Sequence, residues 1–388
     1  MSDRRIYLDY AASSPVDPEV IRAMEPYWSD IYANPNARHL EGRKAHEALE
    51  DARKKVADFA GARAHDVVFT SGGTEANIRA IQGTLDAYRR AHPEGGHIIT
   101  TAIEHPSVLD FCRSYESRGF RLTVLSVDDG GRVSSEECAK MIASDTAFVS
   151  IMFANNEMGA LQPVYACASA VRESRTKNGA SFPLFHTDAS QGPLFFDIIE
   201  TTALADLITL DAQKLYGPKG IGALINKKKE LFTAKTGGSQ EYGLRPGTQN
   251  VPGAVGFASA CERVKERREE DVRRTSALQS VLIEGLLTLP GVVLNGSRSE
   301  RLPNNVNVSL EGIEGEYTVA KLDMLGIAAS TRSACIGDSF EGSYVIAAID
   351  QNRANTSVRF TLGRDTTKSD IQRVIDAIAE VITIGRGS

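Results

Sequence analysis

Two charged residues stand at the ends of apolar, β-leaning runs, where a charge has no obvious structural purpose. Leu207, Ile208 and Leu210 lead to Lys214, and Gly217, Pro218 and Gly220 then turn the backbone away. A buried lysine amine loses its charge because desolvation disfavours the ammonium, and the neutral amine forms a Schiff base with an aldehyde cofactor. A surface lysine beside a glycine turn would have the same local sequence, so its neighbours must decide. Phe185-His186-Thr187-Asp188 ends a second apolar run in a carboxylate. A buried Asp188 needs a cationic partner, because an isolated carboxylate in low dielectric is costly. A protonated pyridine nitrogen is such a partner, and holding that proton keeps a pyridoxal ring an effective electron sink.

Three further segments fall where strands should end. Phe69-Thr-Ser-Gly-Gly-Thr-Glu opens a helix, and Gly72, Gly73, Thr74 and the helix N–H groups suit a phosphate. A simple helix cap by Ser71 or Thr74 is the other reading. His105, before another helix, can stack on a planar ring or move protons near neutral pH, or serve as a structural turn residue. Asn155-Asn156-Glu157-Met158-Gly159 suits a turn, and equally hydrogen bonds to a ligand hydroxyl. Lys214, Asp188 and a cradle near Thr74 are together the working parts of a pyridoxal 5'-phosphate site.

These residues need a scaffold, and the sequence supplies an α/β pattern. Segments 66–70, 97–101, 121–127, 147–153, 183–188, 206–209 and 221–226 read as seven short buried strands, with helices near 74–91, 106–118, 134–143 and 164–177 between several of them. This predicts a mostly parallel seven-stranded sheet covered on both faces, with ligands at the strands' carboxyl ends. A helical run over 251–287 leads into a smaller α+β unit with strands near 291–295, 304–309, 326–330 and 356–361. An amphipathic helix over 368–385 closes the chain. The 388 residues, 42% hydrophobic and with net charge −6, give a large core and no basic face for nucleic acid or a membrane surface. Without an apolar span or a signal-like N-terminus, the protein is expected to be cytoplasmic. The five cysteines form no disulfide or metal pattern. Four lie in helical patterns, whereas Cys335 sits in loop chemistry, Ser-Ala-Cys-Ile-Gly-Asp-Ser.

In order and spacing, the chain resembles the cysteine desulfurases of the class V aminotransferase family, which are fold-type I pyridoxal phosphate enzymes. The resemblance runs from Tyr7-Leu-Asp-Tyr-Ala-Ala through Asn34-Pro, Thr70-Ser-Gly-Gly-Thr-Glu, Glu104-His, Asn155-Asn-Glu-Met-Gly, His186-Thr-Asp-Ala-Ser-Gln, Lys214-Leu-Tyr-Gly-Pro-Lys-Gly, Arg245-Pro-Gly-Thr and Ser333-Ala-Cys to Ser357-Val-Arg-Phe-Thr-Leu-Gly-Arg. It implies a large cofactor domain over 16–255 and a small domain from 1–15 and 256–388. Lys214 would form the Schiff base and move the substrate Cα proton. Asp188 would pair with the ring nitrogen, His105 would stack on the ring, and Gln191 and Asn156 would bind its phenolic oxygen. Gly73, Thr74 and Gln213 would serve the phosphate, with Thr248 reaching it from the second subunit of a homodimer. Arg359 would clamp the substrate carboxylate bidentately, beside Asn34. Cys335 would take sulfur from L-cysteine, leaving a persulfide and alanine, on a mobile loop with Gly337 and Gly342 as hinges that delivers sulfur to a protein acceptor. That acceptor would belong to iron–sulfur assembly, tRNA thiolation or another sulfur-modification pathway.

The chain departs from the family just before the lysine. The usual serine, glycine and histidine are Asp211, Ala212 and Gln213, and Asp211 puts a negative charge beside a phosphate. Two like charges about 4 Å apart at an effective dielectric near 20 cost on the order of 4 kcal/mol. Asp211 is therefore expected to turn away, to gain a cationic neighbour, or to be protonated. Two rivals follow: a selenocysteine lyase or other class V relative, and a non-catalytic scaffold of the same fold.

Overall fold

A computed structural model describes residues 4–233, 237–332 and 342–387. After β1 (Ile6–Tyr7), the chain forms α1 (Pro18–Met24), α2 (Pro26–Ser29) and the long α3 (Leu40–Phe59). Ala45, Leu49, Ala52, Val56 and Phe59 fall on one face of α3 at helical spacing and are buried. A central sheet follows, built from β2 (Val67–Thr70), β3 (His97–Thr101), β4 (Arg121–Leu125), β5 (Thr146–Ser150), β6 (Leu184–Asp188), β7 (Leu207–Asp211) and β8 (Gly222–Asn226). Its helices are α4 (Gly73–Arg89), α5 (Pro106–Arg113), α6 (Ser135–Met141) and α7 (Val164–Asn178). The strand order is β2-β8-β7-β6-β5-β3-β4, with β8 antiparallel to both its neighbours. The expected seven-stranded, mostly parallel sheet is therefore present.

Both sheet faces are apolar. Val68, Ile98, Phe148, Leu184 and Leu207 point into one buried cluster, and Phe69, Ile99, Val149, Phe185 and Ile208 into another on the opposite side. Alternation along each strand produces this division, and it explains why the inner strands read as continuous apolar runs. Only the edge strand β4 departs, with exposed or half-buried residues before Leu125.

The helix α8 (Val251–Leu287) contributes Ala254, Phe257 and Val264 to the main cluster and Leu278, Leu282 and Leu286 to a separate core. That second core lies between α8, the three-stranded antiparallel sheet β12-β10-β9 and α11 (Lys368–Gly387), with β9 at Val292–Leu294, β10 at Asn305–Leu310 and β12 at Ser357–Thr361. Ile371, Val374, Ile378 and Val381 form the buried stripe of α11. The helices α9 (Gly315–Met324) and α10 (Tyr344–Ala347) flank β11 (Ile327–Ala328). The strand expected near 326–330 is thus shorter and pairs with β1 at the N-terminus, while Ser330 beyond it makes an isolated antiparallel bridge to Arg359 of β12.

Arg53 on α3 ties the central sheet to the segment after β8. Its guanidinium makes two bonds to Glu241, at 2.7 and 2.8 Å, and one to the Val67 carbonyl at 3.0 Å, while Glu241 also accepts from the Phe69 N–H. Both side chains are buried, and Glu241 adopts a left-handed backbone (φ 48°). Removing one partner of such a pair leaves an uncompensated buried charge. Arg53→Ala is therefore expected to lower unfolding free energy by about 3–5 kcal/mol in denaturant titrations. A loss below about 1 kcal/mol would show that the pair does not hold this segment.

Candidate active site

The parallel strands β2, β3, β5, β6 and β7 deliver their following residues to one edge of the sheet, and a cleft with about 720 Å³ of empty volume, partly open to solvent, lies there. Gly73, Thr74, His105, Asn156, Asp188, Gln191, Gln213, Lys214 and Arg359 all line it. These residues span most of the chain length, and the sheet brings them together.

Asp188 is 6% exposed at the end of β6. Its carboxylate accepts from the Asn77 amide at 2.7 Å and from the Ser190 N–H at 2.9 Å, and no basic side chain among the described residues forms an ion pair with it. Two neutral donors leave its charge uncompensated, and the N–H of a pyridinium ring supplies what is missing. The same Asn77 amide bonds the Ser107 hydroxyl (2.9 Å), which meets His105 Nδ1 at 2.8 Å. The Ser107 N–H also donates to Nδ1, so the neutral imidazole carries its proton on Nε2. Behind His105, Glu104 is fully buried and accepts the Met152 N–H at 2.6 Å. Burial pushes its carboxyl well above the usual range.

Lys214 sits in a short 3₁₀ turn after β7 and is half-buried. Its Nζ donates to the carbonyls of Ala11 (2.7 Å) and Ala12 (2.5 Å), and Gln191 Nε2 also donates to Ala11 (3.1 Å). Asn155 builds its own turn, accepting the N–H groups of Glu157 and Met158, and Asn156 is left to face the cleft. At the far wall, Arg359 is 1% exposed. It donates to the Asn156 carbonyl at 3.1 Å and to Asp9 at 2.6 Å, and its buried Nε has no hydrogen-bond partner. A guanidinium that lines the cleft and already binds one carboxylate there fits a substrate carboxylate in its place.

At the other end, α4 starts from Gly72 without a side-chain cap, so neither Ser71 nor Thr74 closes it, and its first N–H groups lack a side-chain acceptor from the capping position. A Cβ on Gly73 would lie 2.8 Å from Ser190 Oγ, so only glycine leaves this hollow open. The residues fit a pyridoxal phosphate whose phosphate lies at this helix end. Asp211 is in the same hollow and is buried. Its carboxylate comes within 3.4 Å of the Gly73 Cβ point and accepts from the Gln213 N–H and side-chain amide, each at 3.2 Å.

Asn34 and Thr248 are exposed and do not line the cleft. They are near each other, since Asn36, bonded to Asn34, also bonds Gln249. Cys335 and Gly337 lie outside the described residues. The sequence reading missed Asn77, Ser107, Ser190 and Asp9 as site residues. All four stood inside segments that the sequence marks, Asn77 at the end of 69–77 and Ser107 at the end of 102–107, but none of them was given a role there.

The sequence matches the aminotransferase class-V family over residues 6–374. It is 39% identical over 383 residues to the cysteine desulfurase IscS of Dictyoglomus turgidum, covering 98% of this chain and 95% of that protein. A solved NifS-like protein superposes with a TM-score of 0.89 at 33% identity, covering 98% of this chain and all of the other. The structure of SspA in complex with cysteine gives 0.78 at 32% identity, covering 92% and 98%. The chain belongs to the class V aminotransferase family. Its cofactor is pyridoxal 5'-phosphate, and Lys214, Asp188 and the α4 N-terminus are the groups that would hold it.

Two outcomes follow from this geometry. Arg359→Lys keeps the charge and loses the planar fork, so the KM for an amino-acid substrate is expected to rise about 10- to 100-fold with a smaller change in kcat, which steady-state kinetics would read. Burial holds the Glu104 carboxyl well above its ordinary range near 4.5, whereas the unfolded chain releases that proton in the ordinary range. Its contribution to stability is therefore lost as pH rises, and Glu104→Gln should match the parent near pH 4 and unfold at higher denaturant concentration at pH 8. Equal midpoints at pH 8 would mean the carboxyl is ionised in place.

Proposed function

We propose that this protein is a pyridoxal phosphate-dependent cysteine desulfurase in which Cys335 receives the sulfur. L-Cysteine and the Cys335 thiol give L-alanine and a Cys335 persulfide. The substrate C–S bond breaks, an S–S bond forms, and the hydrogen count is conserved. The bound cofactor supplies the electron-withdrawing ring that opens the substrate sulfur to attack by a thiolate. Asp188 holds the positive charge at the ring nitrogen, and Lys214 Nζ moves the substrate Cα proton. Arg359 orients the substrate carboxylate by exchanging its bond to Asp9 for one to the ligand.

The observation that carries this reading is the placement of a carboxylate without a cationic partner among the described residues, a lysine and a carboxylate-binding arginine in the lining of one cleft. The backbone of Ser330 bonds that of Arg359, in both directions, at 3.2 and 2.6 Å. Cys335 follows five residues later in the sequence, so an extended chain spans at most about 17 Å from that bridge, which is compatible with reaching the cleft. The cysteine complex of SspA supports L-cysteine as the substrate. We assign residues 16–255 to the cofactor domain and 1–15 with 256–388 to the small domain; the two separate apolar cores support a division into two units, with the first turns of α8 as far as Val264 packed in the main core. The working form is a homodimer in which the exposed Thr248 reaches the partner's phosphate site. The compartment is the cytoplasm, where thiols stay reduced, and the acceptor is a sulfur-carrier or scaffold protein.

Cys335→Ser is expected to cut alanine release from L-cysteine by more than about 100-fold while leaving cofactor absorbance intact. Unchanged turnover in that variant would instead place the protein among class V relatives that release sulfur without a persulfide.

A further inference from the structure

We propose that Asp211 makes the phosphate cradle a proton-sharing site, in which the cofactor's phosphate and the Asp211 carboxylate are bound with one proton between them. The inference rests on the reading that the α4 N-terminus holds the phosphate. Three ways of tolerating a carboxylate beside a phosphate were open: to turn it away, to give it a cation, or to protonate it. The geometry removes the first, because Asp211 is buried and its Oδ2 lies 3.4 Å from the Gly73 Cβ point, inside the hollow. Its contacts argue against the second. They are the N–H and side-chain amide of Gln213, both neutral, and no basic side chain among the described residues forms an ion pair with it.

The charged groups on the surrounding elements do not compensate it either. On β6 stands Asp188, a second carboxylate. On α4, Glu75 is already paired with Arg79 at 2.7 Å and Arg245 at 3.4 Å. The turn after Asp211 carries Lys214, held at the Ala11 and Ala12 carbonyls, and α5 begins at His105, whose Nδ1 is taken by Ser107. β2 and β8 contribute no titratable side chain. A phosphate monoester loses its second proton near pH 6, so above that pH a dianion arriving beside Asp211 must take a proton from solvent. Affinity for the phosphate-bearing ligand then falls by up to about tenfold per pH unit. Gln213 donates to both carboxylate oxygens, its N–H to Oδ1 and its side-chain amide to Oδ2, and the remaining lone pair of Oδ2, the oxygen near the Gly73 hollow, is left for the shared proton.

The test uses the full-length chain freed of cofactor and titrated calorimetrically with pyridoxine 5'-phosphate, which has the ring and phosphate but no aldehyde for Lys214. Buffers of different ionisation enthalpy report the protons taken up. At pH 8 the parent should take up about one more proton per ligand than Asp211→Asn or Asp211→Ser, and its Kd should weaken from pH 6.5 to 8.5 while theirs changes little. Two variants are used so that loss of the short turn's cap in one does not decide the result. Equal proton uptake and parallel pH profiles in all three would overturn the proposal and leave the cofactor site standing. Absence of binding in all three would overturn the cradle reading itself, and the inference with it.

Discussion

A largely buried carboxylate with no cationic partner among the described residues is the constraint around which this molecule is arranged. Asp188 ends a strand covered on both faces, and its two protein donors, from Asn77 and Ser190, are neutral. The desolvation cost of such a group is several kcal/mol unless a positive charge arrives. A pyridinium nitrogen would supply that charge, so binding the cofactor would remove an electrostatic deficit that the protein alone carries. The helix α4 contributes to two parts of the cleft. Its first residue, Gly73, borders the phosphate hollow, and Asn77, one turn further, holds Asp188.

The N-terminal residues connect this site to the substrate end. Asp9 holds Arg359, the carbonyls of Ala11 and Ala12 hold Lys214, and the Ser14 hydroxyl bonds the Gln213 carbonyl at 2.6 Å. A single stretch of six residues therefore touches the carboxylate clamp, the amine and the turn beside the phosphate. The Asp9 carboxylate occupies the guanidinium as a substrate carboxylate would, which keeps a buried cation paired before substrate arrives and makes binding an exchange of like partners.

Much of this was legible in the sequence because the strongest signals are local. Runs such as Ile98–Thr101 or Leu207–Leu210 are apolar and β-leaning because both sheet faces are buried, and a charge at the end of such a run, as at Asp188, stands out. What was not legible depends on distance along the chain. The Asp9–Arg359 pair joins residues 350 apart, and nothing near Asp9 announces its partner. The strand at Ile327–Ala328 pairs with Ile6–Tyr7, so its length and neighbour follow from the far terminus. Asn77 and Ser107 are polar side chains that look like solvated helix positions until packing turns them inward. Asn34 and Thr248 reverse the case, since motifs marked them while the single chain leaves them on its surface.

The helix α8 has a mechanical consequence. Its 37 residues make a rod about 55 Å long whose first half is embedded in the main core and whose second half is embedded in the smaller one. A flexible linker would let the two bodies swing like jaws, whereas a continuous helix resists bending and holds their spacing nearly constant. Admission of a ligand must then be governed by small segments at the rim and not by wholesale opening of the halves.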